Sequence, residues 1–205
     1  MSFIQLNNEF PGIEGLLFNK PSTGKAICRF INQVLRKGSG LTPAEKELIA
    51  AYTSYLNQCE YCSSMHAEIT SALSNDDGNL VSCVIQNVTT APVSEKMRAL
   101  LQIAAKVQKG GLFVTAADVD NARLHGADDN DIHDAILVSS MFCFINRYVD
   151  GLRTDRLVGK EDYQVPAKQL ARFGYSYPNI IVKHFMKKMV GKLKKAKVTS
   201  PYEID

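Results

Sequence analysis

An all-α domain is what this sequence predicts, on three observations. Apolar residues recur at three- and four-residue spacing along most of the chain, whereas the two-residue alternation of strands is scarce. The run Thr42-Pro43-Ala44-Glu45 places an N-cap threonine, a proline at the first helical position and a glutamate that completes a capping box. The chain is 205 residues long and 45% hydrophobic, enough for one compact domain with a buried core.

In chain order, the region up to Lys20 reads as an irregular arm, followed by a helix near Gly24–Arg36. The capping box starts a helix from Pro43 to about Leu56, and a second helix carries Cys59 and Cys62 to about Ser74. Asn75-Asp76-Asp77-Gly78-Asn79 reads as a turn, and a shorter helix follows around Leu80–Gln86. Glu95–Lys109 has Met97, Leu100, Leu101, Ala104 and Val107 on one side and ends at Gly110-Gly111. Thr115 with Asp118 opens another helix that stops near Gly126. Asp129 or Asn130 caps a long helix, Ile132–Val149, which is apolar nearly all round and is therefore expected to be central and buried. Tyr175-Ser176-Tyr177-Pro178 precedes a lysine-rich helix ending near Lys197. The organisation is thus an arm over residues 1–20, a helical domain over 21–160 and a C-terminal extension over 161–205.

The N-terminus has no basic segment followed by a long apolar run, and nowhere do 18 apolar residues stand together, so a soluble chain without an export signal is expected. Five irregularly spaced cysteines make a poor disulfide framework and favour a reducing, cytoplasmic compartment. The sequon Asn87-Val88-Thr89 is read as ordinary polypeptide for the same reason. Seven lysines lie between Lys183 and Lys197, and without them the remainder of the chain is net acidic although the whole carries +3. The tail is expected to pack by its apolar side on the domain or on a partner subunit, in preference to an anionic membrane surface or nucleic acid.

The chemistry concentrates in Cys59-Glu60-Tyr61-Cys62-Ser63-Ser64-Met65-His66. At about 100° per helical residue, His66 falls roughly 40° from Cys62 and roughly 20° from Cys59, so two thiols and an imidazole share one face. Only a thiolate attacks a peroxide or a disulfide, and a free thiol with a pKa of about 8.5 is mostly protonated at neutral pH. A helix N-terminus and a neighbouring imidazole are two ways of favouring the anion. Cys59 has the first, and Cys62 has His66 one turn away. A structural zinc site would need a fourth ligand, and no second C-x-x-C or H-x-x-x-H exists. A thioredoxin-like enzyme would need βαβ units. Cys28, Cys83 and Cys143 lie on apolar stretches and read as packing residues. His125 and His133 read as surface or capping residues, and no flavin or nicotinamide motif occurs.

Leu41-Thr42-Pro43-Ala44-Glu45-Lys46-Glu47-Leu48-Ile49-Ala50, then Asn57-Gln58-Cys59-Glu60-Tyr61-Cys62 and His66, resembles the alkylhydroperoxidase D family, in the peroxidase-related or carboxymuconolactone decarboxylase-like branch. That family's site is a Glu, a C-x-x-C twelve residues later and a His four residues after the second Cys, a spacing met by Glu47, Cys59, Cys62 and His66. Asn146 and Arg147 resemble an Asn-Arg pair often found late in the branch. Where this chain has Tyr61, the better-studied peroxide-reducing members carry His, so one arm of their proton relay differs here.

The resemblance implies an AhpD-like helical bundle with the C-x-x-C at the N-terminus of a core helix, assembled as a homo-oligomer. It also implies a cofactor-free thiol peroxidase. Glu47, which alone would read as a solvated helix carboxylate, becomes the partner of His66 in a Glu47–His66–Cys62 relay. Cys62 would attack a hydroperoxide to give a sulfenic acid, Cys59 would resolve it, and an external dithiol would reduce the disulfide. The opposite order is favoured by the greater exposure expected for Cys59. A disulfide reductase, or a redox-sensing or binding module on the same scaffold, is the alternative. Lactone decarboxylation does not call for a C-x-x-C.

Overall fold

A computed structural model describes residues 2–38, 40–74 and 79–179, and in the C-terminal stretch 183–184, 187–188, 190–193 and 195–196. Its described residues form the helices α1 (Gly12–Asn19), α2 (Pro21–Arg36), α3 (Pro43–Leu56), α4 (Glu60–Ser74), α5 (Asn79–Gln86), α6 (Glu95–Lys109), α7 (Ala116–Leu124), α8 (Asp129–Gly151) and α9 (Lys160–Phe173). A two-residue strand, β1 (Arg156–Leu157), pairs antiparallel with β2 (Lys195–Ala196). The all-α expectation holds. Among the described residues no helix is long and apolar enough to cross a membrane.

The helix starts follow local chemistry. Thr42 and Glu45 form the expected capping box on α3, Ser94 accepts from the Met97 N–H at the start of α6, and Thr115 with Asp118 caps α7. The cap of α8 is Asp128, paired with Asp131, one residue before the two candidates. Just before it, the Ala127 N–H donates to the Ala122 carbonyl at 3.0 Å.

Three expectations need correction. The arm before Lys20 is not irregular throughout, because Gly12–Asn19 is helical and buries Leu16 and Leu17. Helix α8 is not buried all round: Val138, Met141, Phe142 and Ile145 face the core, whereas Phe144 is 51% exposed. The turn expected over Asn75–Asn79 falls on residues outside those described, except that Asn79 already begins α5. Residues 185, 186, 189, 194 and 197 of the lysine-rich stretch likewise lie outside them. Residues 183–184, 187–188 and 190 are helical, but Lys195 and Ala196 are extended in β2, so the helix does not reach Lys197.

Helices α3 and α4 pack antiparallel across the short connection at Gln58, whose φ of 61° makes the reversal. Helix α8 lies across α3 and α6, and α9 covers α4. Helix α9 was not foreseen. It contains Pro166 and buries only Tyr163 and Ala167 fully, which leaves a weak apolar pattern in sequence.

Candidate functional site

Helix α3 is buried over most of its length, and Glu47 on it is 0% exposed. An isolated carboxylate at such a place would cost several kcal/mol, so its partners decide its state. His66 Nδ1 lies 2.5 Å from Glu47 Oε2. Arg36 Nη1 lies 2.6 Å from Oε1, and the Tyr175 hydroxyl donates to Oε1 at 2.7 Å. Burial works against the charged carboxylate, but His66, Arg36 and Tyr175 together outweigh it and hold Glu47 below the ordinary carboxylate range. Tyr175 is pushed well above the usual phenol range, by burial first and by the Glu47 charge second, so it stays a donor.

His66 is fixed by more than Glu47. Phe142 from α8 meets its ring edge-on at 4.5 Å, and Tyr175 stacks near it at 6.2 Å. In the tautomer whose Nδ1–H donates to Glu47, Nε2 is the basic nitrogen of the ring. The pairing of Glu47 with His66 expected from spacing is present.

Cys59 precedes the first residue of α4. Its N–H donates to the Ser54 carbonyl at 3.0 Å, and its carbonyl accepts from Ser63 N–H at 2.9 Å, the first bond of the helix. Cys62 lies in the first turn, and both are free thiols. The Cys59 thiol hydrogen-bonds with Cys62 and is pushed far up by that bond, by burial and by the negative charges of Cys62 and Asp150. Asp150, near the end of α8, is raised by its surroundings despite an exposed edge and is lowered by a hydrogen bond with Cys59. The greater exposure expected of Cys59 is not found: it is 0% exposed and Cys62 is 2% exposed. The turn at Gln58 tucks Cys59 back against α3.

Cys62 and His66 line a largely apolar cavity of about 600 Å³ walled by α1, α2, α4, α8, α9 and the segment 174–179. Cys59 is not among its lining residues and borders a shallow depression with Tyr55, Gln58 and Ser63. The two cysteines therefore border different spaces although their thiols hydrogen-bond to each other. Tyr61 reaches the cavity too, and its hydroxyl donates to Glu14 Oε2 at 2.6 Å.

Asn146 lies 1% exposed at the foot of the cysteine turn, where it accepts from Asn57 Nδ2 at 2.8 Å and donates to Ser54 Oγ at 3.1 Å. Arg147 is exposed and donates to the Cys143 carbonyl at 2.7 Å. Neither lines the cavity. Cys28 is buried as expected but borders the cavity, where burial and Glu14 push its thiol up to about 11. Cys83 and Cys143 are only half-buried. His125 and His133 are exposed, as expected. Three residues around the site escaped sequence reasoning: Glu14, Arg36 and Tyr175. Arg36 shows no pattern beyond a basic last turn of α2, Glu14 is a single polar residue in the segment read as an irregular arm, and Tyr175 stands in a run to which the sequence assigns no element. Among the described residues no group of three or more His, Cys, Asp or Glu is arranged to hold a metal.

Residues 21–88 match the model of the carboxymuconolactone decarboxylase family. An uncharacterised peroxidase-related protein from Ralstonia eutropha, described as having an alkylhydroperoxidase AhpD core, is 28% identical. It superimposes with a TM-score of 0.66 over 77% of this chain and 81% of its own. An uncharacterised peroxidase-related protein from Silicibacter sp. is 28% identical, with a TM-score of 0.65 over 70% of this chain and 75% of its own. A protein of unknown function from Agrobacterium tumefaciens, 24% identical with a TM-score of 0.59 over 70% of this chain and 97% of its own, shares the fold. No curated protein matches the chain significantly.

Proposed function

We propose, from the match of residues 21–88 to the carboxymuconolactone decarboxylase family and the likeness to an alkylhydroperoxidase AhpD core, that the chain is a cofactor-free thiol peroxidase that reduces organic hydroperoxides through Cys59 and Cys62. The observation that carries this reading is the largely apolar 600 Å³ cavity with Cys62 and the Glu47-held His66 in its wall. A largely apolar cavity beside an activatable thiol suits an alkyl or aryl hydroperoxide better than a protein disulfide.

His66 takes the Cys62 proton, and the Glu47 carboxylate stabilises the imidazolium that results. The Cys62 thiolate attacks the terminal oxygen, the O–O bond breaks, and an alcohol and a Cys62 sulfenic acid are left. Cys59 keeps its proton while Cys62 is ionised, because the Cys62 charge and burial both disfavour a second anion. It then condenses with the sulfenic acid, releasing water and forming the Cys59–Cys62 disulfide. An external dithiol reduces that bond and closes the cycle. The exposed Phe144 on α8, stacked on Tyr148, suits assembly as a homo-oligomer.

The test is consumption of cumene hydroperoxide with dithiothreitol by the wild type, Cys59→Ser and Cys62→Ser, with mass spectrometry of trapped cysteine products. Repeated turnover lost in both variants, and a sulfenic adduct on Cys62 when Cys59 is replaced, is the expected result. A single oxidation to the disulfide without turnover would overturn peroxidase catalysis and favour a redox sensor or a disulfide reductase.

A further inference from the structure

Glu14 belongs to α1, outside the family-matched segment 21–88, yet it lines the same cavity as Cys62 and His66. Its position is fixed from two sides. The Tyr61 hydroxyl donates to its Oε2 at 2.6 Å. The start of α1 approaches the Tyr61 ring so closely that a Cβ on Gly12 would lie 2.0 Å from Tyr61 Cε1, and Gly12 has a φ of +56°. Only glycine permits both the approach and that backbone angle. The titratable groups that act on Glu14 are Tyr61 and His66 from α4, and Cys28 of α2 responds to its charge. Burial raises the Glu14 carboxyl above the ordinary range, with Tyr61 and His66 pulling it partly back.

On the peroxide reading above, the group that hands the alcohol its proton is still to be named. Breaking the O–O bond expels an alkoxide, a poor leaving group that needs a proton as it departs; His66 holds the proton of Cys62, but its pairing with the Glu47 carboxylate favours keeping it there. We propose that Glu14 is the acid that protonates the departing alkoxide, with Tyr61 as its positioning residue. In this step the Cys62 sulfur forms a bond to the terminal oxygen, which keeps its hydrogen as the sulfenic acid. The O–O electron pair leaves with the inner oxygen, and the Glu14 proton moves to that oxygen to give the alcohol. Tyr61 donates to Oε2 before and after, so Oε1 carries the proton that is transferred. Condensation of the Cys59 thiol with the sulfenic acid releases water without a further proton, and the proton held by His66 returns to Glu14 through solvent. The assignment also names the substrate class: hydroperoxides whose leaving alcohol is weakly acidic gain from Glu14, whereas peroxy acids, which expel a stable carboxylate, do not.

Glu14→Gln keeps the shape and the acceptor for Tyr61 and removes the proton. The rate constant for Cys62 oxidation, followed by rapid-quench mass spectrometry near pH 7, is expected to fall roughly 100-fold with cumene hydroperoxide and to change less than about three-fold with peracetic acid. In the wild type the rate with cumene hydroperoxide should fall on the alkaline side as Glu14 ionises, and Glu14→Gln should lack that fall. An unchanged rate with cumene hydroperoxide, an equal loss with both oxidants, or a wild-type profile without an alkaline fall would each overturn the role of Glu14. The last of these needs no variant to fold. A wild type inert to both oxidants would instead overturn the peroxide reading on which this one rests.

Discussion

The Tyr175 hydroxyl donates to Glu47 Oε1 at 2.7 Å, so a residue just past the end of α9 completes a carboxylate site whose other members come from α2, α3 and α4. The Tyr175 backbone is held in turn, its N–H donating to Asn32 Oδ1 at 3.0 Å, and Arg36 lies over its ring at 4.8 Å. The C-terminal segment thus acts on the site through Glu47. Tyr175→Phe removes one donor but leaves Arg36 and His66 on the carboxylate, so a loss of about 1–2 kcal/mol of stability is expected. Urea unfolding at pH 7 measures it, and the peroxide assay should show a loss of several-fold, short of inactivation.

Glu47 makes a pH prediction with a definite sign. Folding lowers its pKa below 4.5, so the unfolded chain binds more protons than the native one in the window below that value. The stabilisation is complete above 4.5 and is lost as pH falls through the native pKa. Melting temperature should therefore fall as pH drops from about 5 to about 3, and Glu47→Gln should flatten that slope. At pH 7 the same variant leaves the Arg36 guanidinium, 11% exposed, without its carboxylate, and a cost on the order of 3 kcal/mol is expected.

Glu14 shifts the other way. Its carboxyl is raised on folding, so the native state is favoured by protonation below 4.5 and loses that advantage as pH rises through the native pKa. Glu14→Gln should consequently melt higher than the wild type at pH 8, while losing peroxide activity. Differential scanning calorimetry at pH 5 and pH 8 checks it: a larger gain at pH 8 is the expected outcome.

Gly12 holds α1 against Tyr61, and a methyl group there would collide with the ring. Gly12→Ala is expected to cost about 1–3 kcal/mol, as overpacking and a left-handed alanine both strain the contact. A thermal unfolding curve superimposable on the wild type would contradict the close approach.

Asn146 and Arg147 separate cleanly. Asn146→Ala leaves Asn57 and Ser54 without their buried partner and should cost about 1–3 kcal/mol. Arg147 is exposed, and its replacement by Ala should stay within about 0.5 kcal/mol. Equilibrium unfolding of the two variants side by side decides this, and a large loss for Arg147→Ala would point to a role beyond the isolated chain.

The helices from Pro43 to Val149 were legible because their start signals are local: Thr42 with Glu45, Thr115 with Asp118, and the aspartates before α8 act within four residues. The same holds for Cys62 and His66, whose shared face follows from helix geometry, whereas Cys59 precedes α4 and borders a different space. Helix α1 and helix α9 were not legible. Gly12 starts α1 in a left-handed conformation that depends on Asp155, whose carbonyl accepts from Gly12 N–H at 2.8 Å, and α9 places a proline inside a helix stabilised by packing on α4.

What the sequence by itself determined was the helical class and where the candidate site lies, a C-x-x-C with a histidine one turn on, since capping, periodicity and spacing act over short range; the glutamate one helix back was singled out only by the family resemblance. Only the tertiary structure decided the rest of the site. Packing placed Cys62 in the apolar cavity and Cys59 outside it, and brought Arg36 and Tyr175 onto Glu47 and Glu14 onto Tyr61. Those contacts join residues 11 to 128 positions apart, and their physical reason is burial: a carboxylate or phenol closed off from water must find its partners wherever the fold brings them.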